Sequence, residues 1–178
     1  MAGAAVELIG ALQARVARLA PQARLTWVAK ERLHFTLRFI GAVDEARGAA
    51  LCDALAAPLH HPPFAAAVQG VGVFPDRRPP RVIWAGLRSG TSEMVALAHE
   101  VNARIAELVG DDPEEMRPHL TLARVKEAQG LRSQDLLAGL ETAALGVMRV
   151  EAVTLFESRQ TGGRLQYVPL MKTALEAE

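Results

Sequence analysis

An α+β fold of two pseudo-symmetric lobes, each an antiparallel sheet with helices packed outside and a groove between them, is predicted by three features. Amphipathic helical stretches intermix with hairpin signals, which argues against a doubly wound parallel sheet. The tetrapeptide pattern His-x-Thr-Leu occurs twice, as His34-Phe35-Thr36-Leu37 and His119-Leu120-Thr121-Leu122, 85 residues apart, like tandem half-molecules. No linker composition interrupts the chain, and 178 residues is near the upper end of one domain, so residues 1–178 are read as a single bilobal domain.

Residues 4–19 carry Val6, Ile9, Leu12, Val16 and Leu19 at helical spacing. Strands are expected over residues 25–28 and 33–40. Asp44 is placed to cap a helix that ends before Pro58. Strands over 64–73 and 81–87 flank the turn Pro75-Asp76-Arg77-Arg78-Pro79-Pro80. Thr91 or Ser92 caps a helix reaching Leu108, with Met94, Leu97, Val101, Ile105 and Leu108 on its apolar side. The second motif lies in a strand over 117–125, and Ser133 caps a short helix to Leu140. Strands over 147–156 and 164–171, joined by the turn Gly162-Gly163, close the chain.

The two motifs carry the chemistry. In residues 33–40 polar and apolar positions alternate, so His34, Thr36 and Arg38 share one face and Phe35, Leu37 and Phe39 the other. Arg117, His119 and Thr121 share a face in the second copy. Residues two apart on a strand stand about 6.6 Å apart on one surface. A phosphate group fits between an imidazole and a hydroxyl at that separation. Two such pairs around one phosphorus supply what phosphodiester cleavage needs, namely a base for the attacking oxygen and an acid for the leaving oxygen. Histidine serves either role near neutral pH. Thr36 and Thr121 hold the nonbridging oxygens as charge builds on them. A single His-x-Thr would read as an ordinary amphipathic strand; the pair does not. The symmetry leaves open which histidine is acid and which is base.

At these residues the chain resembles the 2H phosphoesterase superfamily, and within it the RNA 2′,3′-cyclic phosphodiesterase (2′-5′ RNA ligase-like) family. The resemblance extends to Trp27-Val28, Phe39-Ile40-Gly41, Gly72-Val73-Phe74-Pro75, Pro80-Arg81-Val82-Ile83-Trp84, Pro118-His119-Leu120-Thr121-Leu122-Ala123-Arg124, Phe156-Glu157-Ser158 and Tyr167-Val168-Pro169-Leu170. It implies metal-independent hydrolysis of an RNA or nucleotide 2′,3′-cyclic phosphate to a 2′-phosphate, with His34 as proton donor and His119 as proton acceptor. It implies no cofactor. Arg124 matches an arginine that reaches the substrate phosphate in that family, although strict alternation turns it away from His119. The related readings are 2′-5′ phosphodiesterase or 2′-5′ RNA ligase activity, and a noncatalytic RNA-end binder. Members of that family usually begin with a short apolar strand before the first helix; here the helical pattern starts almost at Met1, so either that strand is missing or the chain starts late relative to its relatives.

Composition is consistent with this reading. Half the residues are apolar and the formal net charge is zero, so no broad electrostatic footprint for long duplexes exists. The expected partner is an RNA with a 2′,3′-cyclic phosphate end or a small cyclic nucleotide, with no membrane involved and the protein a monomer. Cys52 is alone, in keeping with a reducing cytoplasm, and neither a spanning segment nor a signal-peptide pattern is visible. His60-His61 point apart in an extended loop and lack ligand-spaced neighbours, so no metal site is expected. His99 reads as a surface residue, Cys52 as a small core residue, and the arginines Arg38, Arg117, Arg77, Arg78 and Arg81 as solvated.

Overall fold

The computed structural model describes residues 2–76, 78–110, 116–162 and 164–177. The fold is mixed: four α-helices and seven strands are assigned among the described residues, in the order α1 (Ala2–Leu19), β1 (Arg24–Trp27), α2 (Glu45–Ala54), β2 (Phe64–Phe74), β3 (Val82–Ser89), α3 (Thr91–Val109), β4 (Leu120–Glu127), α4 (Ser133–Leu137), β5 (Ala144–Val150), β6 (Ala152–Thr161) and β7 (Arg164–Ala174). One sheet has the order β1-β4-β3-β2-β5, and the other is the hairpin β6-β7. The chain divides into two compact units, each drawn from three segments: residues 1–35, 65–91 and 118–148 in the first, and 36–64, 92–117 and 149–178 in the second. The units therefore interleave along the chain and do not correspond to tandem halves.

The first unit is built around the five-stranded sheet. Ile9, Leu12, Val16 and Ala20 form the buried stripe of α1, joined in one core by Val68, Val71 and Val73 of β2, Ile83 and Ala85 of β3, and Leu120, Leu122 and Ala123 of β4. The spacing Ile9, Leu12, Val16, Ala20 follows the helical period; Val6 and Leu19, predicted on the same stripe, are 46% and 38% exposed because both lie near its ends. Arg15 reaches from α1 to the carbonyls of Leu136 and Ala138 at 2.9 and 2.6 Å, satisfying carbonyls at the end of α4. Gly70, at φ +78°, is the extra residue where the β2–β3 register shifts, and a Cβ there would lie 2.6 Å from the Glu141 carbonyl oxygen.

In the second unit, Met94, Leu97, Ala98, Val101 and Ile105 form the buried side of α3. Leu108, predicted with them, is half-buried. The helix begins at Thr91 itself, so neither Thr91 nor Ser92 lies outside it as a cap. The Asp44 side chain does cap α2, accepting the Arg47 N–H at 2.8 Å. Asp44→Ala is expected to cost about 1 kcal/mol of stability, the usual worth of an N-cap, measurable by urea titration. The Thr173 hydroxyl, 4% exposed, donates to the Leu55 carbonyl at 2.6 Å.

Two predicted strands take a different form. The stretch expected over 147–156 breaks at Glu151: β5 joins β2 in the large sheet, while β6 pairs with β7. The strand expected over 33–40 is absent as a ladder, and only Phe35 makes a bridge, antiparallel to Leu120. Among the described residues no helix is long and apolar enough to cross a membrane.

Candidate active site

His119 lies just before β4, and Thr121 and Arg124 lie within it, where the strand register decides which way each faces. Ile83 pairs with Ala123 and Trp84 with Thr121, so one step on β3 matches two on β4. Leu122 is the additional residue of a bulge. Leu122 and Ala123 are both fully buried, and the alternation resumes one residue out of phase. Val82 then pairs with Arg124. Residues directly opposite one another share a face, and Val82 and Trp84 are two apart on one strand. Thr121 and Arg124 therefore look out on the same side. The bulge is what strict alternation missed, and it brings Arg124 to the face of the second motif.

The first motif reaches this face differently. A 3-10 turn, Lys30–Arg32, precedes it, closed by Leu33 N–H to the Lys30 carbonyl at 3.3 Å. Phe35 then bridges Leu120 in antiparallel sense. The central residues of the two His-x-Thr motifs thus face one another, with Leu120 in the core and Phe35 packed against it. His34 precedes Phe35, and Thr121 follows Leu120, so each flanks the bridge. His119 is two residues from Thr121 on its own strand direction, about 6.6 Å.

The ring of His34 is oriented by its Nδ1, 2.7 Å from the Arg32 carbonyl oxygen. A carbonyl only accepts, so Nδ1 carries a proton in this contact. His34 is exposed, while His119 and Thr121 are half-buried and Arg124 is exposed. Thr36 is exposed and is the first residue of the second unit. In that unit Arg38 is half-buried and Arg117 exposed.

Aromatic rings surround the second histidine. Phe74 lies edge-on to His119, with centroids 5.3 Å apart, and Trp84 at 6.4 Å. Phe74 and Trp84 stack on each other at 4.9 Å. No role was assigned to either ring from sequence. Their signal was the register of the β2–β3 hairpin, where Gly72 pairs with Trp84 and Phe74 with Val82, on the face of Thr121.

In the second unit the His60 backbone N–H donates to Glu100 at 2.8 Å, and His61 Nδ1 lies 2.9 Å from the Pro62 carbonyl oxygen. His99 is exposed and Cys52 half-buried on α2. Arg78 and Arg81 are exposed, and Arg77 lies outside the described residues, as does Gly163 of the predicted closing turn.

A mixed fold whose antiparallel sheet carries Thr121 and Arg124 on one side, with His119 just before β4 and His34 beside the Phe35–Leu120 bridge, has the means for phosphoryl chemistry. The chain matches the model of the LigT-like phosphoesterases over residues 3–84 and 89–167, and it belongs to that family. It is 35% identical to the RNA 2′,3′-cyclic phosphodiesterase of Aeropyrum pernix over 154 residues, covering 85% of this chain and 84% of the relative. It is 32% identical to the enzyme of the same name from Aquifex aeolicus over 139 residues, covering 76% and 73%. Among solved structures, Escherichia coli LigT complexed with 3′-AMP superposes with a TM-score of 0.71 at 26% identity, over 95% of this chain and 91% of that one. The TT0787 protein of Thermus thermophilus gives 0.70 at 27% identity, over 97% and 93%.

Proposed function

We propose that this protein hydrolyses the 2′,3′-cyclic phosphate of RNA ends or small nucleotides to a 2′-phosphate, by acid–base catalysis between two histidines and without a metal ion. The observation that carries the reading is the bridge between Phe35 and Leu120, the central residues of the two His-x-Thr motifs, which supports a shared site for His34 and His119. The relatives named RNA 2′,3′-cyclic phosphodiesterase support the choice of substrate.

In this reaction a water molecule attacks phosphorus in line with the P–O3′ bond. His119 accepts the proton that water loses. His34, in its doubly protonated form, gives the Nε2 proton to O3′ as the P–O3′ bond breaks, and its Nδ1–H stays on the Arg32 carbonyl throughout. Solvent then returns a proton to His34 and removes one from His119. Thr121 donates to a nonbridging oxygen, and Thr36, by its position in the first motif, is the second hydroxyl. Arg124 neutralises charge on the same group. The protein works as a monomer in the cytoplasm, where a single unpaired cysteine is at home.

Arg124→Ala is expected to lower kcat/KM about tenfold, the lower end of the range for a hydrogen bond to a charged group, because the side chain is exposed. Arg124→Lys should recover part of the loss, and an unchanged kcat/KM in both variants would remove Arg124 from the site. Substrate choice is tested by comparing kcat/KM for an RNA ending in a 2′,3′-cyclic phosphate with that for a 2′-5′-linked oligonucleotide. The cyclic end is expected to be preferred. A preference for the 2′-5′ linkage, or tight binding of the cyclic end with no turnover, would overturn the proposal.

A further inference from the structure

We infer that Phe74 and Trp84 are positioning residues for His119, and that Gly72 makes the space that lets them do it. The inference builds on the two-histidine reaction proposed above. His119 precedes the first residue of β4 and follows Pro118, so the strand ladder does not fix its side chain. Two aromatic rings flank the imidazole of His119. Phe74 meets it nearly perpendicular, at 87°, and Trp84 at 68°. Such edge-to-face contacts are directional, so they select one plane for the imidazole.

The hairpin is constructed around this contact. Trp84 lies across the backbone of its strand partner Gly72, where a Cβ would fall 2.3, 2.6 and 2.7 Å from Cζ2, Cε2 and Cη2 of the indole. Every other residue type would displace the ring. Glycine inside a strand weakens it, and close approach of another group is the physical reason to keep one there. The indole Nε1 is buried with no hydrogen-bond partner among the described residues. An unsatisfied buried donor costs stability, and phenylalanine or leucine would fill the position without that cost. Phe74, stacked at 23° on the indole, carries the ring plane through to the histidine. A catalytic group shifted by about 1 Å can lose about 10²-fold in rate, so a wall that fixes this imidazole acts on turnover more than on binding.

The test uses Gly72→Ala, which keeps all three rings but pushes the indole aside, together with Trp84→Leu and Phe74→Leu. The His119 ring protons are followed by NMR, assigned by their loss in His119→Gln, and kcat and KM are measured on a 2′,3′-cyclic nucleotide. In the wild type, ring currents of Phe74 and Trp84 should displace the His119 signals from their free-peptide positions. In each variant these signals should move toward those positions while the His34 signals stay. The expected kinetic result is a fall in kcat of about 10- to 100-fold with KM within about twofold. Folded variants with wild-type His119 signals and wild-type kcat would overturn the inference. If Trp84→Leu does not fold, Gly72→Ala and Phe74→Leu give the same decision. If the wild type turns over no cyclic phosphate, the proposed reaction fails separately, and the His119 signals still decide whether the rings hold the histidine.

Discussion

His119→Ala is expected to lower kcat/KM for a 2′,3′-cyclic phosphate by about 10²–10⁴, the usual contribution of one well-placed acid or base, and His34→Ala by a similar factor. Neither change should disturb the fold. His34 is exposed and His119 half-buried, and the core residues beneath them, Leu120, Ile83 and Ala85, are untouched. The two histidines act on the same transition state, so the double variant should lose far less than the product of the single losses. Because one imidazole must be protonated and the other neutral, the wild-type rate should be bell-shaped in pH, and each single variant should lose one limb of the bell. Purified variants with wild-type circular dichroism, assayed by separating substrate from product, provide the check. A His34→Ala or His119→Ala protein within about twofold of wild type would remove that residue from the chemistry; factors below this are too small for a proton-transfer group.

Leu120→Ala is expected to destabilise the protein by about 2–5 kcal/mol, the range for truncating a buried leucine. Leu120 is 1% exposed, lies in the core under the large sheet, pairs with Ala85 on β3, and bridges to Phe35. The cavity would open directly beneath the two motifs. A urea titration should show a lower midpoint with an unchanged slope. Residual activity per folded molecule should also fall, because the Phe35–Leu120 bridge between the two motifs would lose its apolar anchor. Leu165→Ala, at a position 42% exposed on the β6-β7 hairpin, is the matched control and should stay within about 0.5 kcal/mol of wild type. Equal stability losses in the two variants would contradict the assignment of Leu120 to the core.

The motifs were more legible in the sequence than the strands around them. The paired His-x-Thr pattern singled out two histidines that the register of Phe35 and Leu120 brings into relation. Helical spacing located the central buried residues of α1 and α3, and Asp44 announced the start of α2. The first motif was nevertheless misread as a regular strand. Its burial does alternate, with Leu33, Phe35 and Leu37 half-buried and His34 and Thr36 exposed. Alternation reports which side of an extended chain is covered. It does not report whether a neighbouring backbone is there to complete a ladder.

The direction of Arg124 was illegible for a related reason. A bulge adds one residue without changing residue types in an obvious way; here its trace is the adjacent apolar pair Leu122-Ala123, both buried, just before an exposed arginine. The division of the closing stretch at Glu151 depends on which sheet each side joins, and that is fixed by partners distant in sequence. The same is true of the aromatic walls at His119. Gly72, Phe74 and Trp84 become a unit only once β2 and β3 are paired.

The most direct measurement is the position of the phosphate left on a short RNA that starts out with a 2′,3′-cyclic phosphate end, after incubation with the purified protein in excess EDTA. The expected product carries a 2′-phosphate, formed as His34 protonates the departing 3′-oxygen, with the rate unaffected by the chelator. Substrate left intact in EDTA but cleaved on adding a divalent metal would contradict metal-free two-histidine catalysis, and a 3′-phosphate product would contradict the assignment of His34 as the acid.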